Sequence, residues 1–284
     1  MIVITGAGGQ LGRLVAEALA ERVPPAAATL ATRDPAKIAD LAARGFRTVR
    51  ADFDDPASLD AAFAGARTVL VLSGDAPKDV RIRQHRAAID AAKKAGVGRI
   101  AYTSFTNATP ASLFPFAWIH ADTEAYLKAS GVPYTILRDN QYAENLTNAL
   151  ARARDSGVLA LPGAAGKVAY ITRADIAAAI AGALTGSGHE NRTYELTGSE
   201  ALDLDEIAEV LARKRGMAVK AVDAGPQEFG RILASAGLPP FLVEALIGLY
   251  AAVAAGEYAA ISQDAERLAG RPIEPVSAYV ARVG

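Results

Sequence analysis

The most constraining feature of the sequence is a glycine-rich turn at its start, within Met1–Gly12. A short apolar run, Ile2–Ile4, has the β-branched residues typical of a buried parallel strand. The glycines follow it, and apolar residues then recur at helical spacing from Leu11 to Leu19. A strand, a glycine turn and a helix in this order direct free backbone N–H groups and the positive end of a helix dipole at one point. The pattern therefore predicts a site for a pyrophosphate.

The glycines are spaced as Gly6-x-x-Gly9-x-x-Gly12, which differs from the usual dinucleotide fingerprint Gly-x-Gly-x-x-Gly. A plain tight turn between strand and helix is the alternative interpretation, but it would not need glycine at all three positions. We therefore predict that the turn binds a dinucleotide. The predicted contacts are Gly6, Gly8, Gly9, Gln10, Leu11 and Gly12.

The order of strand and helix patterns predicts the fold class. Strand-like apolar runs alternate with helical patterns up to about residue 150, which is typical of an α/β protein with a Rossmann-like, doubly wound parallel sheet. We predict an NAD(P)-binding Rossmann domain over residues 1–150. Residues 151–284 are expected to form a smaller, mixed and mostly helical C-terminal lobe on the substrate side, interleaved with the first part. Strand-like pieces remain there at residues 158–161, 168–170 and 193–196.

Composition excludes several classes of partner. The net charge of −1 argues against a nucleic-acid partner and a polybasic membrane anchor, and the basic residues of Arg81–Lys94 are interpreted as a solvated helix face. The chain has no cysteine, so disulfides, zinc–cysteine sites and thiol catalysis are excluded. It contains no uncharged apolar run of about 18 residues and begins directly with a strand, so no membrane span or signal segment is predicted. We expect a soluble, cytoplasmic protein.

Arg33 bears on the choice of cofactor. It follows the second predicted strand, where the adenosine ribose lies in this kind of sheet. An acidic residue there would bind the ribose 2′-hydroxyl of NADH, whereas an arginine can pair with the 2′-phosphate of NADPH. Asp34, before Pro35, has the pattern of a helix N-cap, and Lys37 adds positive charge. The sequence favours NADPH over NADH, with a solvated surface arginine as the alternative for Arg33.

Ligands of doubly wound sheets bind outside the carboxyl ends of the strands. Residues at the ends of the third, fourth and fifth predicted strands, or directly after them, are therefore predicted to contact the cofactor. They are Asp52, Phe53, Ser73, Gly74 and Thr103. The polar run Arg138–Asn145 follows the sixth strand and lies at the same edge. Within it we assign Arg138, Asp139 and Asn140 to the cofactor.

The catalytic group is harder to find. The strand–glycine–helix start is typical of short-chain dehydrogenase/reductases, whose main branch uses a Tyr-x-x-x-Lys pair on the helix after the fifth strand. No tyrosine of this chain has a lysine four residues later. The corresponding helix carries His120 and Glu124, which share a face. With three histidines in the chain, a third metal ligand is not apparent and no metal is predicted. His120 either faces the substrate or forms an ordinary polar pair with Glu124.

The missing acid restricts the chemistry. Reduction of a simple ketone produces an alkoxide and needs a proton donor. Reduction of a quinone produces a phenolate with a pKa near 10, so water can supply the proton, and a stabilised carbocation needs no proton. The sequence therefore predicts a conjugated acceptor or no catalysis, and the contribution of the protein would be positioning and exclusion of water.

Five segments together resemble the NmrA-like, atypical branch of the short-chain dehydrogenase/reductases, and within it the bacterial type 2 quinone reductases and triphenylmethane reductases. These segments are Ile4–Gly12, Arg33–Lys37, Ile100–Ser104, Tyr134–Arg138 and Gly188–Asn191. The resemblance implies NADPH, hydride transfer without flavin, and a position beside the nicotinamide for Arg138–Asn145, with Tyr142 and Asn145 on the substrate side. The chain departs from the family at Gly8, where threonine is usual, and at Asp139, where asparagine is. A carboxylate at Asp139 would favour the oxidised, positively charged nicotinamide ring.

Three hypotheses follow for the function. The first is an NADPH-dependent, flavin-free reductase of a quinone or a similar conjugated acceptor. The second is a non-catalytic NADP(H)-binding redox sensor that acts through protein partners. The third, a nucleotide-sugar epimerase or dehydratase, normally needs the missing tyrosine–lysine pair. The sequence separates neither quinones from triarylmethane dyes nor a monomer from a homodimer.

Overall fold

The computed structural model describes residues 1–284 and is organised around a parallel seven-stranded sheet. The strand order is β3-β2-β1-β4-β5-β6-β8, and every neighbouring pair is parallel. The strands are β1 (Ile2–Ile4), β2 (Ala28–Thr32), β3 (Arg47–Arg50), β4 (Thr68–Val71), β5 (Arg99–Phe105), β6 (Tyr134–Asp139) and β8 (Arg192–Leu196), with β7 (Val158–Leu161) and β9 (Lys220–Asp223) in a separate pair. The Rossmann-like doubly wound sheet predicted from the sequence is confirmed.

Twelve α-helices surround the two sheets. They are α1 (Gln10–Ala20), α2 (Ala39–Ala43), α3 (Pro56–Phe63), α4 (Lys78–Lys94), α5 (Pro115–Ala129), α6 (Thr147–Ser156), α7 (Arg173–Thr185), α8 (Leu204–Arg215), α9 (Pro226–Ser235), α10 (Pro240–Ala254), α11 (Asp264–Ala269) and α12 (Val276–Val283). Helices α1, α2, α7 and α11 cover one face of the main sheet, and α3, α4 and α5 cover the other. No helix is long and apolar enough to cross a membrane.

The strands of the main sheet are apolar because both of their faces are buried. In β1, Ile4 packs into the core beneath α1 and α7, whereas its neighbour Val3 packs into the core beneath α3 and α4. Successive side chains of a strand point to opposite faces, so a strand covered on both sides needs an uninterrupted apolar run. This arrangement leaves the carboxyl ends of the strands, all at one edge, as the place where polar loops collect.

A second core builds the smaller lobe around β7, β9 and helices α6, α8, α10 and α12. Strand β9 is not marked by the sequence pattern. The strand predicted at residues 168–170 is wrong, because successive residues there hydrogen-bond to different segments of the chain. Val168 exchanges hydrogen bonds with Leu202, while the N–H of Ala169 donates to the carbonyl of Tyr258. A ladder cannot form when successive residues bind different segments.

The parts of the chain before and after residue 150 are interleaved in space. Helix α7 packs against α1, and β8 pairs with β6 as the outermost strand of the main sheet. The chain thus returns to the first part after building α6 and β7. A division into a cofactor domain and a substrate lobe at residue 150 stays a prediction.

Candidate functional site

The glycine turn between β1 and α1 is tight enough to require glycine. Gly6 has φ +64°, which L side chains rarely adopt. A Cβ on Gly12 would lie 2.8 Å from the Cα of Ala7 and closer still to the carbonyl oxygen of Gly6. The first turn of α1 therefore lies directly on the backbone that leaves β1.

This turn leaves several donors without an acceptor. The N–H groups of Gly8, Gln10, Leu11 and Gly12 make no hydrogen bond to the protein, and Gly9, the N-cap of α1, provides no side-chain cap. The first turn of α1 also carries no acidic residue. Unpaired N–H groups at the positive end of a helix are a suitable site for an anion. These residues fit the pyrophosphate of a dinucleotide.

The loop after β2 offers positive charge beside this turn. The side chain of Asp34 accepts a hydrogen bond from the N–H of Ala36 at 3.1 Å, so Asp34 is the N-cap that the sequence predicted. Arg33 and Lys37 are exposed, and their side chains make no ion pair or hydrogen bond. Arg13 of α1 pairs instead with Asp40 at 2.7 Å. Two unengaged cations thus lie where the ribose 2′-phosphate of NADPH is expected.

The residues predicted at the next two strand ends are engaged mainly with the protein. Asp52 closes a turn after β3, because its carboxylate accepts from the N–H of Asp54 at 3.1 Å and its own N–H donates to Ser58 at 2.9 Å. Phe53 is half-buried against the core beneath α3. Both lie at the expected edge, and their contact with the cofactor stays a prediction.

After β4, Ser73 is held from three sides. Its N–H donates to the hydroxyl of Thr103 at 3.0 Å, and its own hydroxyl accepts from Arg81 at 2.6 and 3.0 Å and lies 3.0 Å from Nε2 of His85. Gly74, which follows, is exposed. Thr103 is buried and so supports the loop from below. Ser73 and Thr103 fix the course of the backbone at the ligand edge.

A buried polar cluster underneath this loop was missed by the sequence interpretation. Arg81, His85, Tyr102 and His120 are each at most 5% exposed. Because arginine only donates, His120 must accept from it at Nε2, at 3.1 Å, and donate from Nδ1 to Tyr102 at 2.7 Å. Burial, followed by the charge of Arg81, lowers the pKa of His85 to about 3 and that of His120 well below its usual value. Both histidines are therefore neutral.

The basic run of α4 is thus only partly the solvated face that was expected. Arg83 and Arg86 are exposed, but Arg81 is buried. Its position was visible in the helical periodicity, since Arg81 and His85 are four residues apart on the same stripe as the buried Ala88 and Ile89. Charge alone suggested the wrong side of the helix.

His120 and Glu124 do not pair, although they are four residues apart on α5. Both ring nitrogens of His120 are engaged within the buried cluster, so Glu124 does not orient it toward a substrate. Glu124 instead binds Arg138 through two hydrogen bonds of 2.7 and 2.8 Å and accepts from Ser104 at 2.7 Å. A catalytic role for His120 stays a prediction that this geometry does not favour.

The three residues after β6 that were assigned to the cofactor differ in their surroundings. Arg138 faces α5 and also pairs with Glu195 at 2.9 Å, so two carboxylates occupy its guanidinium. The side chain of Asn140 braces the small lobe by donating to the carbonyl of Tyr258 at 3.0 Å. Neither side chain is free for a cofactor in this arrangement, and their cofactor contacts stay predictions.

Asp139 is 1% exposed and has no positive partner. Its Oδ2 accepts from the hydroxyl of Tyr142 at 3.2 Å, and its Oδ1 has no partner. Burial raises the pKa of Asp139 to about 8. At neutral pH this favours the neutral carboxyl group over the carboxylate. The effect of Asp139 on the nicotinamide stays a prediction.

Tyr142 and Asn145, the predicted substrate-side residues, are brought together by Arg173. The guanidinium of Arg173 lies 4.3 Å from the centre of the Tyr142 ring, and it donates to Asn145 at 3.4 Å. Tyr142 is half-buried and Asn145 is exposed. Both lie at the carboxyl edge, and their contact with a substrate stays a prediction.

Aromatic side chains from both lobes face one another next to this edge. Phe105, at the end of β5, packs against Tyr258 with ring centres 5.5 Å apart. Phe116 of α5 lies between Phe114, at 5.4 Å, and Phe241 of α10, at 6.5 Å. Phe105, Phe116 and Phe241 are only half-buried. We call the five residues Phe105, Phe114, Phe116, Phe241 and Tyr258 the aromatic wall. Flat conjugated molecules stack well on such surfaces.

No group of three or more His, Cys, Asp or Glu side chains is arranged to hold a metal ion.

Comparisons with known proteins agree with a dinucleotide site at this edge of the sheet. Residues 6–187 match the model of the NAD(P)H-binding family. Quinone oxidoreductase 2 of Escherichia coli (strain K12) is 37% identical over 283 residues, which cover 100% of this chain and 98% of that protein. Its crystal structure in complex with NADPH superposes with a TM-score of 0.93 over 99% of each chain. Triphenylmethane reductase of Citrobacter sp., in complex with NADP(H), is 33% identical, with a TM-score of 0.93 over 100% of this chain and 99% of that one.

Proposed function

The chain belongs to the NAD(P)H-binding family of oxidoreductases, and we propose that it is an NADPH-dependent reductase that passes hydride, without flavin, to a quinone or a similar conjugated acceptor. The membership agrees with the resemblance to NmrA-like reductases that the sequence motifs indicated. The observation that carries the proposal is the continuity of one edge of the sheet. The same edge joins the glycine turn with its unpaired N–H groups to the aromatic wall, in which three of the five rings are half-buried.

The preference for NADPH rests on Arg33 and Lys37. Both are exposed, neither has an acidic partner, and the neighbouring Asp34 is used as a helix cap. The loop therefore presents two positive charges and no free carboxylate to the adenosine ribose, which favours a 2′-phosphate over a 2′-hydroxyl. The solved relatives contain NADPH or NADP(H).

NADPH, when bound, supplies the hydride. The chain's own residues hold the dinucleotide by backbone N–H groups at the glycine turn and place its reactive end near the loops after β4, β5 and β6. The aromatic wall stacks the acceptor and excludes water from the reacting atoms. A hydroquinone anion with a pKa near 10 takes its proton from water at neutral pH, so no dedicated acid is required.

The side chains on α5, the helix that carries the tyrosine–lysine pair in the main branch of short-chain dehydrogenase/reductases, support this choice of acceptor. On α5, His120 is engaged at both ring nitrogens and Glu124 is bound to Arg138 and Ser104. A simple ketone needs a proton donor at the oxygen that becomes negative. We therefore expect ketones to be poor substrates.

The test is the loss of absorbance at the reduced-nicotinamide band, with purified protein and a panel of acceptors. The panel contains benzoquinone, menadione, a triphenylmethane dye and cyclohexanone, each with NADPH and with NADH. Turnover of the quinones with NADPH preferred, and none of the ketone, supports the proposal. Rapid ketone turnover would mean that a proton donor exists in the site. Tight NADPH binding by calorimetry without turnover of any acceptor would favour the non-catalytic sensor.

A further inference from the structure

Arg81 is the starting point, because it is a buried cation without an anionic partner. The residue is 5% exposed, and no carboxylate lies within ion-pair distance of its guanidinium. Buried arginines are nearly always paired, since an isolated charge in a protein interior is unfavourable. Burial lowers the pKa of Arg81, but a guanidinium stays protonated at any pH at which the protein is folded.

All of the groups that contact Arg81 are neutral. Nη2 and Nε donate to the hydroxyl of Ser73, and Nη2 also donates to His120. The guanidinium carbon lies 4.9 Å from the centre of the Phe116 ring, and Nη1 has no hydrogen-bond partner. These contacts orient the guanidinium but do not cancel its charge.

The nearby carboxyl groups do not compensate for the charge either. Asp75 is close enough to favour the charged form of Arg81, but it is exposed, so solvent screens it. Asp139, at the end of β6, is buried and protonated at neutral pH. Glu124 of α5 is also buried, but it is paired with Arg138 at 2.7 Å. No carboxylate therefore pairs with Arg81 to cancel its charge.

This charge lies directly behind the predicted site of the reaction. Arg81 holds the hydroxyl of Ser73, in the loop after β4, at 2.6 Å. It also lies against Phe116, which belongs to the aromatic wall. A ligand between that loop and the wall would therefore experience the field of Arg81 through a short, poorly screened distance.

We propose that Arg81 selects the class of acceptor: its buried charge favours neutral quinones, which become anions when they accept hydride, over cationic triarylmethane dyes. The inference rests on the proposed reductase function and adds to it the choice between two acceptor classes. Because its contacts run through Ser73 and Phe116, Arg81 is a specificity-determining residue that acts through its field.

The charges of the reaction give the direction of the effect. The C–H bond of the nicotinamide breaks with its electron pair, and the new bond forms on the acceptor. A neutral quinone is thereby reduced to a hydroquinone anion, which then takes one proton from water, while the nicotinamide is oxidised. A triarylmethane cation becomes neutral and needs no proton. The positive charge that forms on the nicotinamide is the same in both reactions and cancels from their ratio.

The size of the effect follows from Coulomb's law. A unit charge about 8 Å from the acceptor, at an effective dielectric constant of about 20, changes the stability of a fully formed anion by roughly 30-fold. A charge that is partly developed in the transition state gives roughly tenfold. The dye is affected in the opposite direction, so the ratio of the two kcat/KM values is the most sensitive quantity.

The first experiment compares kcat/KM for menadione and for malachite green, both with NADPH, in the wild type and in Arg81→Met. We expect the menadione to dye ratio to fall at least about tenfold in the variant. The matched control is Arg86→Met, on the exposed side of the same helix, where the arginine pairs with Asp122 at 2.6 Å. It should leave the ratio unchanged. Equal loss for both acceptors in Arg81→Met, or the same change in both variants, would overturn the inference.

The second experiment measures binding without turnover and does not depend on the folding of a variant. Calorimetry on the wild type compares 2-hydroxy-1,4-naphthoquinone, an anion at neutral pH, with its neutral 2-methoxy analogue. The anion should bind at least about tenfold more tightly, and less so at high salt. Equal affinities would overturn the inference. Turnover of no acceptor by the wild type, in contrast, would contradict the proposed function itself.

Discussion

Replacement of Asp139 by asparagine should stabilise the protein, and the gain should grow with pH. Asp139 is 1% exposed, one of its carboxyl oxygens has no partner, and burial raises its pKa to about 8. In the unfolded chain an aspartate has a pKa of about 3.9. The folded protein therefore holds a proton that the unfolded chain releases, and this difference works against folding as the pH rises.

The linkage relation gives the magnitude. A carboxyl group whose pKa is raised by folding contributes most below its unfolded pKa, and its contribution is lost as the pH rises from about 4 to about 8. At pH 7, which lies about three pH units above the unfolded pKa, the lost contribution is about 4 kcal/mol in the free energy of unfolding, at 1.36 kcal/mol per unit. This is an upper value, because water entry and local relaxation reduce it. Above pH 8 the difference should become constant.

The assay is urea unfolding at pH 5, 6, 7 and 8.5, followed by circular dichroism, for the wild type and Asp139→Asn. The amide oxygen can still accept from Tyr142, so any change in that hydrogen bond adds a pH-independent offset. The informative quantity is the slope of the difference with pH. Asp155→Asn, at a side chain that is 77% exposed, is the control and should show no such slope.

A difference between Asp139→Asn and the wild type that does not change with pH would refute this reasoning. It would mean that Asp139 is ionised in the folded protein, where water or a cation stabilises its charge. The argument that no carboxylate cancels the charge of Arg81 would then lose one of its supports.

Three further predictions concern the cofactor edge and its framework. Arg33→Ala should weaken NADPH binding by about tenfold and leave NADH binding nearly unchanged in calorimetry, whereas Arg47→Ala, at the amino end of β3, should affect neither; equal losses for both cofactors would contradict the assignment. Gly12→Ala should weaken NADPH binding by roughly tenfold or more, because the new Cβ displaces the turn, and normal affinity would show that the turn adapts. Glu124→Gln should lower the free energy of unfolding by about 2 kcal/mol, since Arg138 loses a charged partner in the interior but keeps Glu195; the exposed Glu209→Gln should have no effect, and an equal change in both would refute the role of the buried pair.

The features that the sequence by itself determined are those that depend on neighbours along the chain. The order of strands and helices up to about residue 150, the tight turn at Gly6 and Gly12, and the cap at Asp34 all follow from backbone sterics and periodicity within a few residues. Since parallel strands end at one edge, the same order also placed the candidate cofactor residues on that edge. These expectations did not require knowledge of which elements touch.

Only the tertiary structure decided which polar groups meet in the interior. Glu124 binds Arg138 from a neighbouring strand in preference to His120 on its own helix. Arg81, which the sequence suggested to be solvated, is buried between two helices, and burial without a charged partner raises the pKa of Asp139 to about 8. The physical reason is that desolvation and pairing depend on distances between elements far apart in the chain. Local periodicity specifies the face on which a residue lies, whereas the packed neighbours determine its charge and its partner.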